Sequence, residues 1–328
     1  MSNVVITGAS AGVGRALARR FAQDGYDVGL IARDASRLDA TAAEVEGMSR
    51  RALALPADVA DAQALTQAAE RFEAEIGPID IWVNCAMVTV LAPVAETTPE
   101  EFSRVTEVTY LGTVHGTRTA LALMRPRDRG LILQVGSALA YRSIPLQSAY
   151  CAAKSAIVGF TDSLRSELIH EGSNVQLTVV HLPAVNTPQF DWARNKMGRR
   201  PQPVPPIFDP EKVAEQIVRA ARRPAREYWL GFPAAKAILS YELAPWLGDR
   251  LLSKQGYDGQ LTAEAEDPTR ADNLFDTVPG AFSARGRFAD RSTSRRPLLI
   301  SPAMRQGVAL LAVCGALAAT FALGAFLF

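Results

Sequence analysis

The chain has 328 residues, 48% of them hydrophobic, with 35 lysines and arginines against 34 aspartates and glutamates. That length and apolar content suffice for one large α/β domain with additions, or two small domains, and exclude a disordered or fibrous protein. A formal charge of +1 gives no overall field toward nucleic acid, so no nucleic-acid partner is expected.

The start of the chain carries neither a basic nor an apolar leader, and a strand-like run, VVIT, begins at Val4. To about residue 185, apolar runs suited to strands at 3–7, 27–32, 51–55, 79–84, 131–136 and 175–181 alternate with amphipathic helical stretches. This alternation predicts a parallel sheet with crossover helices on both faces. The helix from Val13 to Gln23 should stop at Gly25, and that from Ala62 to Ile76 at Gly77-Pro78.

Residues 186–209, rich in Pro and Arg, read as a long mobile loop, with a lid over the substrate as its expected role. Asp209-Pro210-Glu211 then starts a helix, 227–231 offers a last strand, and 233–254 reads as an amphipathic helix. A catalytic domain over 1–256 is expected. Polar, aperiodic composition makes 257–303 a flexible tether, although its stretch NLFDTVPGAF could dock on the domain. Residues 304–328 are expected to be a transmembrane anchor, because Gly307 to Phe328 is uncharged and about 22 helical residues span roughly 33 Å. A buried C-terminal helix or a dimer interface is the competing reading of that run. Arg291, Arg295, Arg296 and Arg305 precede it, which places the domain on the cytoplasmic side of a single-pass protein.

Cys85, Cys151 and Cys314 show no CxxC spacing and no metal-ligand pattern with His115, His170 and His181, so no metal site is expected. The histidines read as core or surface residues.

Thr7-Gly8-Ala9-Ser10-Ala11-Gly12-Val13-Gly14 lies between the first strand and the first helix. Gly8 suits the tight turn, Gly12 the approach of a pyrophosphate and Gly14 close helix packing, with Ser10, Val13 and the helix N-terminus facing the nucleotide. After the second strand comes Ala32-Arg33-Asp34. Loss of the acid that would hold a ribose 2′-hydroxyl, with a guanidinium in its place, favours NADP over NAD. Alternatively Arg33 is solvated and Asp34 fills the acidic role.

Tyr150 and Lys154 lie four apart in a helical stretch and project from one face. A neighbouring ammonium favours phenolate and brings a tyrosine toward general acid/base duty. Ser137 sits thirteen residues before Tyr150, at the carboxyl end of a predicted strand, where ligands bind in doubly wound sheets.

Over about residues 3–254 these motifs strongly resemble the classical short-chain dehydrogenase/reductase family. The resemblance implies a Rossmann-type doubly wound α/β fold and an NADP(H)-dependent oxidoreductase acting on a carbonyl or alcohol. It implies that Tyr150 transfers the proton, Lys154 lowers its pKa and binds the nicotinamide ribose, and Ser137 orients the substrate oxygen. By the same resemblance Asp58 and Val59 lie at the adenine, and Pro183 and Thr187 beside the nicotinamide. The family's NNAG is here Asn84-Cys85-Ala86-Met87, keeping Asn84 and Ala86 as cofactor-site residues. Thr109 stands where the family carries a relay Asn, and a hydroxyl cannot replace both amide groups.

A small carbonyl or alcohol substrate, apolar or lipid-like for a membrane-bound enzyme, is expected, with homo-oligomers as the family suggests. A cofactor-binding sensor with weak turnover, motivated by Thr109, and an isomerase or epimerase are the alternatives.

Overall fold

The computed structural model describes residues 2–280 and 282–307. Among the described residues, seven parallel strands form the sheet: β1 (Asn3–Thr7), β2 (Asp27–Ala32), β3 (Ala52–Pro56), β4 (Ile81–Asn84), β5 (Leu131–Ser137), β6 (Gln176–Leu182) and β7 (Glu227–Leu230). An antiparallel edge strand, β8 (Leu299–Ile300), pairs with β7. The spatial order is β8-β7-β6-β5-β4-β1-β2-β3. The chain winds outward from β1 through β2 and β3, then returns to β4 on the other side. The order therefore reverses between β1 and β4, where doubly wound sheets open a crevice at their carboxyl ends.

Side-chain alternation along β1 explains why both faces must be covered. Val4 and Ile6 pack into one core with Leu17 and Phe21 of α1 (Gly12–Gln23) and Ile217 of α8 (Pro210–Ala221), beside Leu38 of α2 (Ala35–Glu46). Val5 points the other way, to a core with Phe72 of α3 (Ala62–Glu75), Val105 of α4 (Pro99–Val105), Met124 of α5 (Gly112–Met124) and Leu164 of α6 (Ser148–His170). Carboxylates start several helices, as expected for the one that opens at Asp209. Asp61 caps α3 by accepting from Gln63 N at 2.9 Å, and Asp209 caps α8, with Pro210 in its first turn, by accepting from Glu211 N at 2.9 Å.

Three expectations change. The helix expected over 233–254 is two helices, α9 (Gly231–Leu243) and α10 (Pro245–Gln255), because Pro245 lacks the amide needed to continue the first. Residues 186–209 are not a free loop. They contain α7 (Gln189–Trp192), and their short strands pair 194–195 with 90–91, 199–201 with 261–265, and 207–208 with 292–293. The expected flexible tether, 257–303, lies along the domain through those pairings and through side chains that donate to its main-chain carbonyls, as from Arg33 to Asn273 and Phe275. The apolar run read as a membrane anchor falls, from residue 308 onward, outside the described residues. Among the described residues no helix is long and apolar enough to cross a membrane.

Candidate active site

The crevice begins at the glycine-rich turn. Gly8 and Gly12 have φ of +71° and +58°, conformations that glycine adopts without a Cβ penalty. A Cβ on Gly8 would stand 2.8 Å from Ala86 Cα, and one on Gly14 2.1 Å from the Gly8 carbonyl oxygen. The turn thus closes against the Cys85-Ala86 segment, and Thr7 ties the two by accepting from Cys85 N at 3.0 Å and Ala86 N at 3.2 Å. Ser10, Gly12 and Val13, at the N-terminal end of α1, line the cavity.

At the end of β2, Arg33 lines the same cavity, as do Asp34 and Arg37. The Asp34 carboxylate is the N-cap of α2, accepting from Arg37 N at 3.0 Å, and pairs with the Arg37 guanidinium at 3.3 Å. Asp58 and Val59 form the next stretch of wall after β3. Burial pushes the Asp58 carboxyl up, but the Ala60 amide and the Arg104 guanidinium outweigh it and leave it below the usual range.

Ser137 ends β5, and α6 carries Tyr150 and Lys154 against it, all three lining the cavity. Lys154 is buried, donates to Val135 O at 2.8 Å and lies 5.7 Å from the centre of the Tyr150 ring. The Ser137 Oγ accepts from Leu139 N at 3.1 Å, which leaves its own proton free to donate. Desolvation raises the Tyr150 phenol above its ordinary value, with the Ser137 hydroxyl opposing. It lowers the Lys154 ammonium to about 8, with Cys85 opposing. Desolvation, then, and not the expected ammonium effect, dominates Tyr150 in this state. Ala86, Met87, Pro183 and Thr187 complete the middle of the cavity, whose volume is about 930 Å³.

Two residues expected in the site are placed differently. Asn84 turns into the core, where its amide donates to Thr117 Oγ1 at 3.1 Å and Gln134 Oε1 at 2.9 Å and its oxygen accepts from Trp82 Nε1 at 2.8 Å. Thr109, fully buried in a wide π-helical turn over Thr106–Leu111, donates its hydroxyl to Val88 O at 3.0 Å and accepts from Val88 N at 3.1 Å. With its one proton committed, the hydroxyl braces the Val88 backbone.

The structure also brings in residues that the sequence did not place in the site, among them His181, which is a core residue as one of its readings had it. His181 is fully buried on β6, with Nδ1 3.1 Å from Ser137 O and Nε2 3.1 Å from Glu227 Oε2. Both ring nitrogens face acceptors. Tyr141, in the turn after Ser137, donates to the same Glu227 oxygen at 2.7 Å, and Arg305 donates to the other at 2.5 Å. Burial pushes the Glu227 carboxyl up, but His181, with Tyr141 and Arg305, more than offsets it and holds it far below the carboxylate range. The partners lie 46 and 78 residues apart, so no local pattern announces them.

A nicotinamide dinucleotide fits the residues present. The turn's Cβ-free cradle, the helix N-terminus, Arg33 and the Tyr150–Lys154 wall lie along one crevice. The short chain dehydrogenase family model matches residues 2–197. The chain belongs to the short-chain dehydrogenase family, and is an oxidoreductase of the kind that uses a nicotinamide cofactor.

Its relatives extend beyond that core. The uncharacterized oxidoreductase YxnA of Bacillus subtilis is 33% identical over 279 residues, covering 84% of this chain and 78% of its own. A fatty acyl-CoA reductase of Acinetobacter baylyi is 30% identical, covering 76% of this chain and 82% of its own. Among solved structures, the alcohol dehydrogenase of Thermococcus sibiricus complexed with 5-hydroxy-NADP superposes with a TM-score of 0.61 at 26% identity, covering 70% of this chain and 96% of its own.

Proposed function

We propose that this chain is an NADP(H)-dependent oxidoreductase acting on CH–OH groups, which interconverts a carbonyl and an alcohol of an apolar, lipid-like substrate with Tyr150 as general acid/base. The observation that carries the reading is the gathering of Ser137, Tyr150 and Lys154 on one wall of the cavity that also holds the glycine-rich turn.

A bound nicotinamide supplies the hydride for reduction or takes it up in oxidation. The raised Tyr150 phenol is protonated at neutral pH and gives its proton to the oxygen of a carbonyl being reduced. The free hydroxyl proton of Ser137 orients that oxygen. Lys154, held by Val135 O, stabilises the phenolate that forms. Thr109 has no free proton for a relay, so the reading gives it a bracing role and leaves proton transfer to Tyr150.

Arg33 on the cavity wall supports NADP, and so does Asp34, whose carboxylate is engaged in capping α2 and pairing with Arg37. The Thermococcus neighbour's 5-hydroxy-NADP agrees with this. Ile144, Val204, Phe232, Leu251 and Leu252 around the outer cavity support an apolar substrate, as does the fatty acyl-CoA reductase relative. The uncharged run of sequence toward Phe328 and, independently, the exposure of Leu243 at 82% and Trp246 at 60% on α9 and α10 support a site on the cytoplasmic side of a membrane.

The test is full-length protein in detergent or nanodiscs with NADPH and a series of short- and long-chain aldehydes and ketones. NADPH oxidation rising with chain length, and abolished by Tyr150→Phe, is expected. Bound NADPH that is never consumed by any carbonyl would refute the oxidoreductase reading in favour of a sensor. Substrate conversion without net NADPH loss would refute it in favour of an isomerase.

A further inference from the structure

Residues 273–280 and 282–288 lie along the nucleotide crevice from one wall to the other. At the adenine end Leu274 is fully buried, and its carbonyl accepts from Arg104 Nε at 3.1 Å. At the opposite end Phe288 N donates to Asn186 Oδ1 at 3.1 Å, and Gly286 is seated so tightly that a Cβ there would stand 2.4 Å from the Thr187 carbonyl oxygen. Between these anchors the segment's main-chain oxygens latch onto the groups that line the phosphate-binding turn. Arg33 donates to Asn273 O and Phe275 O, both at 2.6 Å, and Arg37 to Gly280 O at 3.2 Å. Gly12 N donates to Ser283 O at 3.1 Å, and Arg15 to Phe282 O at 2.8 Å. The Phe282 ring closes the latch: it meets the Trp192 ring at 4.5 Å, with the Arg37 guanidinium 5.0 Å from its centre.

We propose that this segment is a strap that gates the nucleotide, closing over the adenosine half of the cofactor so that binding and release both require it to lift. The inference rests on the nicotinamide-nucleotide reading of the crevice and adds to it the path by which the nucleotide passes. Asn273, Thr277 and Val278 line the cavity, so the strap forms a wall of the site while space remains beneath it. The contacts to Arg33 come from main-chain carbonyls, so the strap fixes it through two of its five N–H groups and leaves three for a phosphate. The strap starts far beyond residue 197, where the match to the family core ends.

A gate differs from a mere contact in its kinetics, because opening lies on the path in both directions. The experiment is stopped-flow fluorescence on the full-length protein, with NADPH mixed in to read association and displaced by excess NADP to read release. Phe282→Ala removes the ring contact and the Arg37 stacking, and Gly286→Val unseats the far end. Neither residue touches Ser137, Tyr150 or Lys154. Both variants should release NADPH about tenfold faster and bind it at least threefold faster, so that Kd moves less than the release rate. Release within twofold of wild type in both variants would overturn the gate, and so would faster release with unchanged association. If NADH binds and NADPH does not, the Arg33 reading falls, while the same chase with NADH still tests the strap. Binding of neither would overturn both.

Discussion

The His181–Glu227 pair makes a sharp demand on stability and on turnover. Replacing His181 with Leu removes its ring contacts to the buried Ser137 carbonyl and to the Glu227 carboxylate, which keeps Tyr141 at 2.7 Å, Trp229 Nε1 at 3.1 Å and Arg305 at 2.5 Å. An orphaned buried carbonyl and one lost charged hydrogen bond cost about 3 kcal/mol together. Glu227→Leu strips the acceptor from four partners, His181, Tyr141, Trp229 and Arg305, and should cost at least as much. In the double variant the shared bond is lost once, so the cycle should return a coupling of about 2 kcal/mol by urea denaturation of the full-length protein. Because Tyr141 and the Ser137 carbonyl belong to the turn that presents the Ser137 hydroxyl, kcat in His181→Leu should also fall about tenfold, with KM for NADPH nearly constant. The pH dependence follows from the depressed Glu227 carboxyl. Its contribution is complete above the ordinary carboxylate pKa of about 4.3 and is lost as pH falls from there through the lower folded value. Glu227→Gln should therefore flatten part of the acid-side loss of stability. A coupling under about 0.5 kcal/mol, or unchanged kcat in His181→Leu, would refute the idea that this pair braces the catalytic serine.

The Lys154 ammonium, lowered to about 8 by desolvation, is charged below that pH, so kcat/KM for carbonyl reduction should fall as pH rises through about 8, and Lys154→Arg should remove the fall whatever it does to the plateau. Tyr150→Phe should lower kcat by about 10²- to 10⁴-fold while NADPH titration gives a Kd within twofold of wild type. Arg33→Ala should weaken NADP binding about tenfold or more and leave NAD within twofold, read by calorimetry; equal losses for both would remove Arg33 from the phosphate. Gly14→Ala would drive a Cβ to 2.1 Å from the Gly8 carbonyl, and the backbone cannot yield there, so nucleotide binding should vanish and the melting temperature should drop.

Why some of this was legible in the sequence and some was not follows from where the information sits. Parallel strands buried on both faces must be apolar throughout, so VVIT and LILQV stood out. The glycine turn and the Tyr150–Lys154 pair were readable because their partners lie within one turn of chain. Asn84 illustrates the limit: its resemblance to the family's NNAG made it a cofactor-site residue, yet Trp82 on the same strand, with Thr117 and Gln134, draws it inward. The 257–303 segment was read as a tether because its polar composition lacks periodicity, whereas its docking is assembled from short strand pairs and from ion pairs such as Asp272–Arg194 and Arg285–Asp209, whose partners lie far away in the chain. Pro245, by contrast, was visible, and the break it makes between α9 and α10 follows from chemistry that the amphipathic periodicity over 233–254 obscured.

The two perturbed groups at the catalytic wall are best understood as one system. Desolvation raises the Tyr150 phenol and lowers the Lys154 ammonium, so each is pushed toward its neutral form by the same dry cavity. At neutral pH that leaves a protonated phenol above a single buried positive charge. Donation of the phenol proton to a substrate oxygen turns this lone charge into a phenolate–ammonium pair, and in a poorly screened site the attraction between the two is stronger than it would be in water. The penalty that opposes ionisation of either group alone is therefore partly offset when the tyrosine gives up its proton with Lys154 charged. This is why a wall with a strongly raised phenol can still serve as an acid, and why deprotonating Lys154, more than any change at Tyr150 itself, should set the alkaline limit of the reaction.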